Sequence, residues 1–140
     1  MEYGCFLEGG KKYEVMTPHT PTVWKNFLYN DTYYMEVDQT LQGSGQLVND
    51  YNRMPCICKE RYFYLVDKKS SEVWNPNFLP LGKDYDSYSC VHGMWDTKLC
   101  SSWQGIETAI EVMVPCAGSK ELWSVSIKNL SGKERELSPY

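Results

Sequence analysis

The stretch G-I-E-T-A-I-E-V-M-V-P, Gly105 to Pro115, decides how the rest of the chain is read. Ile106, Thr108, Ile110, Val112 and Val114 alternate with Glu107, Ala109, Glu111 and Met113. A period of two marks a strand with one face on a core, because successive side chains of an extended backbone point to opposite sides. The following run, ELWSVSIKNLSG, repeats the pattern, with Trp123, Val125 and Ile127 opposed by Ser124, Ser126 and Lys128. Pro115 to Lys120 supply turn residues between the two runs, so adjacent antiparallel strands are predicted, with Trp123 in the core.

Working outward, RYFYLVD (Arg61 to Asp67) reads as a strand, DKKSSE as a polar turn and EVW as the returning strand of a hairpin. Upstream, KKYEVM, NFLYND and TYYMEVDQ are short β-prone runs broken by Pro18, Pro21 and Asn30-Asp31. The last residues, KERELSPY, read as one more strand that stops in mid-course. No window of a dozen residues carries an apolar stripe at helical spacing between capping residues. The expected fold class is all-β, an antiparallel β-sandwich, and an aromatic content of 14% suits two packed sheets. At 140 residues with 42% apolar residues, the chain is one domain long, residues 1–140, without repeats or low-complexity linkers.

Composition removes several functions. The net charge is −4 and the basic residues are scattered, with no run longer than pairs such as Lys11-Lys12, so no stripe exists to displace counterions from phosphates and no nucleic-acid partner is expected. MEYGCFLEGGKKYEV lacks the basic start and apolar centre of a signal peptide, and no apolar run approaches the ~20 residues that span a bilayer. The expectation is a cytoplasmic protein without membrane association. The six cysteines, Cys5, Cys56, Cys58, Cys90, Cys100 and Cys116, are dispersed and read as reduced thiols. Cys56-x-Cys58 is the only close pair, with neither the two-residue spacing nor the second pair of a zinc site, so no metal is expected.

Three places have chemistry to offer. His92 lies two residues from Cys90, but without a visible base or nucleophile partner it reads as a histidine at a strand end before Gly93; His19 reads as a residue of a proline-flanked loop. Trp95 and Trp103 lie in less regular sequence than Trp123, which leaves each either in the core or exposed as a platform for a sugar's C–H face. The segment QTLQGSGQLVNDYNR, Gln39 to Arg53, combines Gly43 and Gly45 with Gln39, Gln42, Gln46, Asn49 and Asn52, and reads either as a solvated polar loop or as an amide-rich surface for sugar hydroxyls. It has no helix signal or lysine-serine pair, so it is no phosphate cradle.

The blocks WNPNFLPL, SYSCVHGMWDT, QGIETAIEVMVP and ELWSVSIKNLSGKERELS, in this order and spacing, resemble the N-terminal domain of the cellobiose phosphorylase family of inverting glycoside phosphorylases, formerly grouped as glycosyltransferase family 36. YGCFLEGGKKYEVMTPHTPTVWKNFLYND resembles the family's opening, so the likeness covers nearly the whole chain. The family often has G-L-G-Y-T after the histidine, where this chain has Gly93, Met94, Trp95, Asp96 and Thr97; its glycine-rich loop is often G-G-G-Y-S, where this chain has QGSGQL. Both differences leave the substrate subgroup open. The resemblance implies a super-β-sandwich like that of galactose-mutarotase-like proteins, here covering about half of it and truncated on its C-terminal side. A catalytic (α/α)6 barrel would lie outside these residues. That barrel would carry the acid that protonates the glycosidic oxygen while inorganic phosphate, a co-substrate and not a cofactor, attacks the anomeric carbon. On this reading the chain holds no catalytic residue and binds no cofactor. The parent enzyme would be a homodimer acting on a disaccharide or oligosaccharide, with Gln42, Gln46, Arg53 and Trp95 as candidate substrate contacts across the dimer. The alternative from the residues is a stand-alone carbohydrate-binding module.

Overall fold

A computed structural model describes residues 3–48 and 53–140, with backbone alone for 53–57. Among these residues the strands are β1 Gly4–Leu7, β2 Lys12–Val15, β3 Lys25–Tyr29, β4 Tyr33–Asp38, β5 Gly45–Val48, β6 Arg53–Cys58, β7 Leu65–Asp67, β8 Glu72–Trp74, β9 Ser87–His92, β10 Asp96–Trp103, β11 Ile106–Met113, β12 Leu122–Asn129 and β13 Leu137–Pro139. The helical content is one 3-10 turn, Glu8–Gly10. The all-β class read from the alternation is what the chain adopts, and the described strand pairings are antiparallel.

A six-stranded sheet, ordered β1-β2-β9-β10-β11-β12, faces a four-stranded sheet, β3-β4-β5-β6, and a three-stranded sheet, β13-β7-β8. Two of the three longest strands, β10 and β11, connect both cores. Toward one end Leu99, Ile110 and Val112 meet Leu28, Met35 and Val37 of the four-stranded sheet, with Val15, Tyr33, Leu41 and Cys90 completing the cluster. Toward the other end Trp103 and Ile106 meet Leu65 and Trp74 of the three-stranded sheet. Just beyond Trp103, at that second end, β10 reverses into β11 through Gln104 and Gly105, whose φ values of 49° and 75° match the paired left-handed residues of a two-residue hairpin. A Cβ on Gly105 would also lie 2.8 Å from Cα of Ser131, so glycine is required on two counts.

The burial of β11 follows its sequence: Ile106, Thr108, Ile110 and Val112 are buried. β12 corrects the expectation for its partner. Trp123, Val125 and Ile127 lie opposite Val112, Ile110 and Thr108 and hence share the core face, yet Val125 and Ile127 are each 38% exposed and Trp123 is only half-buried. β12 is the last strand of its sheet, and among the described residues neither opposing sheet extends far enough to cover it.

Two further runs differ from their sequence reading. The strand expected over Arg61 to Asp67 is confined to Leu65–Asp67, because Arg61 turns inward as a buried cation. The predicted hairpin is present, with Leu65 opposite Trp74 and Asp67 opposite Glu72. The Asp67 carboxylate receives the Lys69 and Ser70 amides within its turn and pairs with Arg135, which fastens β13 to β7. Gln39, Thr40 and Leu41 of the expected polar loop are buried, and Gly45–Val48 form β5.

Candidate functional site at the Trp95 cleft

The link from β9 to β10 is a tight reversal in which the Gly93 amide donates to the Asp96 carbonyl at 2.9 Å, with His92 opposite Thr97. Its tip carries Met94, 66% exposed, and Trp95, 78% exposed. A side chain at Gly93 would sit 2.4 Å from the Asp96 carboxylate, which would have to swing aside to admit it. Asn26 of β3 holds the reversal from the opposite sheet: its amide nitrogen donates to the Gly93 carbonyl (2.8 Å), the Thr97 hydroxyl (3.1 Å) and the Asp96 carbonyl (3.2 Å). Asn26 was invisible as a site residue, since its partners are 67 to 71 positions away.

Because Asn26 and Leu28 point inward, their neighbours Phe27 and Tyr29 point outward, 50% and 73% exposed. With Met94, Trp95, Val114, Pro115 and Cys116 they line a cleft of about 530 Å³. The aromatic surface continues over the four-stranded sheet, where Phe27 stacks on Tyr34 with centroids 6.1 Å apart at 24°. Tyr34 lies opposite Gln46 of β5. Trp95 and Gln46, two of the sequence candidates, thus stand at opposite ends of one aromatic face. Large apolar groups are normally scattered singly on a surface; four around one cleft mark a place that meets something else, by ring stacking or by apolar packing. Asn26→Ala should leave the sandwich folded but free the reversal, seen as faster amide exchange confined to Gly93–Thr97; unchanged protection there would mean the turn holds itself.

The other two candidates are placed elsewhere. Gln42 grips the backbone of Arg61, donating to its carbonyl and accepting from its amide at 3.3 Å, so its amide is committed inside the fold. Arg53 begins β6 opposite Val48, and its side chain lies outside the described residues. The side chain of Cys56, of the close cysteine pair, lies outside them as well. Gln46 keeps a buried amide oxygen with no hydrogen-bond donor among the described residues.

The strongest electrostatic feature was not anticipated. Arg61 and Glu121, 60 positions apart, form a two-pronged pair, Nε to Oε2 at 2.8 Å and a second guanidinium nitrogen to Oε1 at 2.5 Å. The side chains are 3% and 12% exposed. Tyr33 Oη and Trp123 Nε1 donate to the same carboxylate, at 2.7 Å and 3.2 Å. Burial pushes the Glu121 pKa up, but the hydrogen bonds and charge of Arg61 and the two further donors outweigh it, and the net direction is down. Burial is also the main cause that raises Tyr33, whose phenol stays protonated as the donor. The cluster ties the four-stranded sheet and the Arg61 segment to the start of β12, and it reads as a structural pin.

His92 is likewise part of the framework. Its Nδ1 is 3.0 Å from the Thr97 hydroxyl and its Nε2 is buried without a partner among the described residues. Burial lowers its pKa, against weaker upward effects of the Asp38 carboxylate and the Trp24 backbone. The sign follows from proton binding: below the ordinary value of 6.5 the unfolded chain takes up a proton that the folded chain resists, so stability falls as pH drops through that value. Urea midpoints at pH 7 and pH 5.5 should therefore differ less in His92→Gln than in the wild type; an equal difference would remove His92 from the pH response. Burial also raises the Cys90 thiol well above its ordinary value, which keeps it unreactive. Among the described residues no three His, Cys, Asp or Glu side chains are grouped to hold a metal, and no helix is long and apolar enough to cross a membrane.

The family model for the glycosyl hydrolase 94 supersandwich domain matches residues 11–140. A 3-O-beta-D-glucopyranosyl-beta-D-glucuronide phosphorylase of Paenibacillus borealis is 40% identical over 136 residues, 97% of this chain and 18% of the relative. A solabiose phosphorylase of the same organism is 29% identical over 150 aligned positions, 99% of this chain and 19% of the relative. An N,N'-diacetylchitobiose phosphorylase of Vibrio furnissii is 27% identical, covering 100% of this chain and 19% of its own length. The chain spans less than a fifth of the length of these relatives. Matched over nearly all of its residues, the chain belongs to the glycosyl hydrolase 94 supersandwich domain family.

Proposed function

We propose that this chain is the non-catalytic, N-terminal supersandwich segment of a cytoplasmic, homodimeric glycoside phosphorylase that reversibly phosphorolyses β-linked glucosides. The observation that carries the reading is the 40% identity to a phosphorylase across 97% of the chain. In this role the segment supplies a rigid wall and not chemistry: transition-state stabilisation needs an acid and a phosphate site held together, and the ionisable cluster buried here, Arg61 with Glu121, is spent on holding two sheets. Trp95 is the candidate best disposed to meet substrate or a second subunit, because its ring is exposed on a turn fixed by Asn26. Gln46 and Arg53 would act from the opposing four-stranded sheet, away from Trp95, and Gln42 would only hold the Arg61 backbone in place.

The test is phosphate-dependent release of a sugar 1-phosphate from a panel of β-linked disaccharides. The whole protein that carries this segment should turn over at least one, and the isolated chain should turn over none. Turnover by the isolated chain, abolished by His92→Gln, would overturn the reading. The exposed group of Trp95, Phe27 and Tyr29 favours a second reading, a carbohydrate-binding module; it requires binding of oligosaccharides by this chain alone that Trp95→Ala removes.

A further inference from the structure

A second cleft, of about 350 Å³, separates the Met16–His19 segment from Lys83–Tyr88, which leads into β9. Its chemistry differs from that of the Trp95 cleft. Phe78 supplies an aromatic wall, with the His19 ring edge-on at 5.0 Å and 84° and Tyr85 at 6.1 Å and 56°. The phenol groups of Tyr85 and Tyr88 donate inward, to the carbonyls of Asn75 and Gln39, so these residues offer ring and not hydroxyl to the cleft. Phe78 itself has φ of 77°, a conformation that a bulky side chain rarely adopts. It is held there by its amide on the Asn75 carbonyl (2.9 Å) and by the Gly82 amide on its own carbonyl (2.7 Å). A strained backbone that is held from both sides and presents an aromatic ring at a cleft is an arrangement that function maintains more readily than stability does.

Around these rings several polar groups are unspent among the described residues. Asp84 and Asp86 are exposed and make no side-chain hydrogen bond or ion pair with the described residues, and the Ser87 hydroxyl and the His19 imidazole also have no hydrogen-bond partner among them. Lys83 leans away, its ammonium 4.3 Å from the centroid of Trp103. Two free carboxylates beside an aromatic wall suit a ligand with an apolar C–H face and several hydroxyl donors, and they repel an anion.

We infer that this cleft is a saccharide site that holds one uncharged pyranose unit, its C–H face on Phe78 and its hydroxyls donating to Asp84 and Asp86. The site is separate from the Trp95 face and does not rest on the phosphorylase reading. The probes are methyl β-D-glucoside, cellobiose and the anionic methyl β-D-glucuronide, each titrated into the ¹⁵N-labelled chain and into its D84N/D86N variant. Both substitutions are on exposed side chains without a hydrogen bond or ion pair among the described residues, so the variant keeps the fold and its spectrum differs only near the substitutions. The neutral sugars should shift the amides of Thr17, His19 and Asp84–Ser87 with roughly millimolar affinity, the glucuronide should bind at least about tenfold more weakly, and D84N/D86N should weaken cellobiose about tenfold while narrowing the gap to the glucuronide. Shifts confined to Met94–Asp96, equal binding of neutral and anionic sugars, or no shift by a well-dispersed spectrum would each overturn the inference.

Discussion

Glu121→Ala is expected to lower the unfolding free energy by about 3–5 kcal/mol, the usual cost of removing one partner from a buried ion pair and leaving the other charge without compensation. Arg61 is 3% exposed at its side chain, so in the variant its guanidinium would keep one carbonyl, that of Glu36 at 3.2 Å, and lose both carboxylate contacts. Tyr33 and Trp123 would lose their acceptor as well. The double variant Arg61→Met, Glu121→Leu should recover most of the loss, because it removes both desolvation costs and fills the space with apolar side chains. Urea unfolding of the three proteins measures this directly. A single-variant loss near that of a surface pair, or a double variant no better than the single ones, would show that the pair is not the pin described.

The same cluster sets a pH response of known sign. The folded Glu121 pKa lies below its ordinary value of 4.5, so the stabilisation is complete above that value and is lost as pH falls through the folded pKa, where the folded carboxylate finally protonates. Glu121→Gln should flatten the acid limb of the stability profile below pH 4.5, whereas His92→Gln should act on the higher limb, below pH 6.5.

Trp74→Ala should be comparably costly, by about 3–5 kcal/mol, as for other large-to-small changes in a packed core. Trp74 is 1% exposed, and its ring lies 4.8 Å from that of Trp103 at 39°. With Leu65, Trp103 and Ile106 it forms the buried apolar cluster between the three-stranded sheet and the long hairpin of β10 and β11. The loss should therefore be regional. Amides of β7, β8 and β13 should exchange early in the variant while β9 to β11, packed on the four-stranded sheet, keep their protection. Uniform loss of protection would mean that the two cores melt as one unit.

The strands and their reversals were determined by the sequence alone wherever the signal is local. Alternation from Ile106 to Val112 marked one buried face, DKKSSE marked a hairpin, and the blocks from WNPNFLPL to ELWSVSIKNLSG marked the family; the first two need only the period of an extended backbone and the turn preferences of a few residues. Tertiary structure decided which alternating faces are covered. Val125 and Ile127 have the same pattern as Ile110 and Val112 but lie one strand beyond the opposing sheet, and no local period records what packs above a face. It also decided the fate of the polar residues. Gln42 reads from the sequence as a ligand-facing amide and instead holds Arg61, while Arg61 reads as the start of a strand and instead meets Glu121, because the partner of a buried polar group is chosen by proximity in space and those partners are 19 and 60 positions away. Trp95 is the reverse case. Its irregular surroundings left it undecided between core and surface, and only the grip of Asn26 from the opposite sheet sets it on a fixed turn with its ring outward.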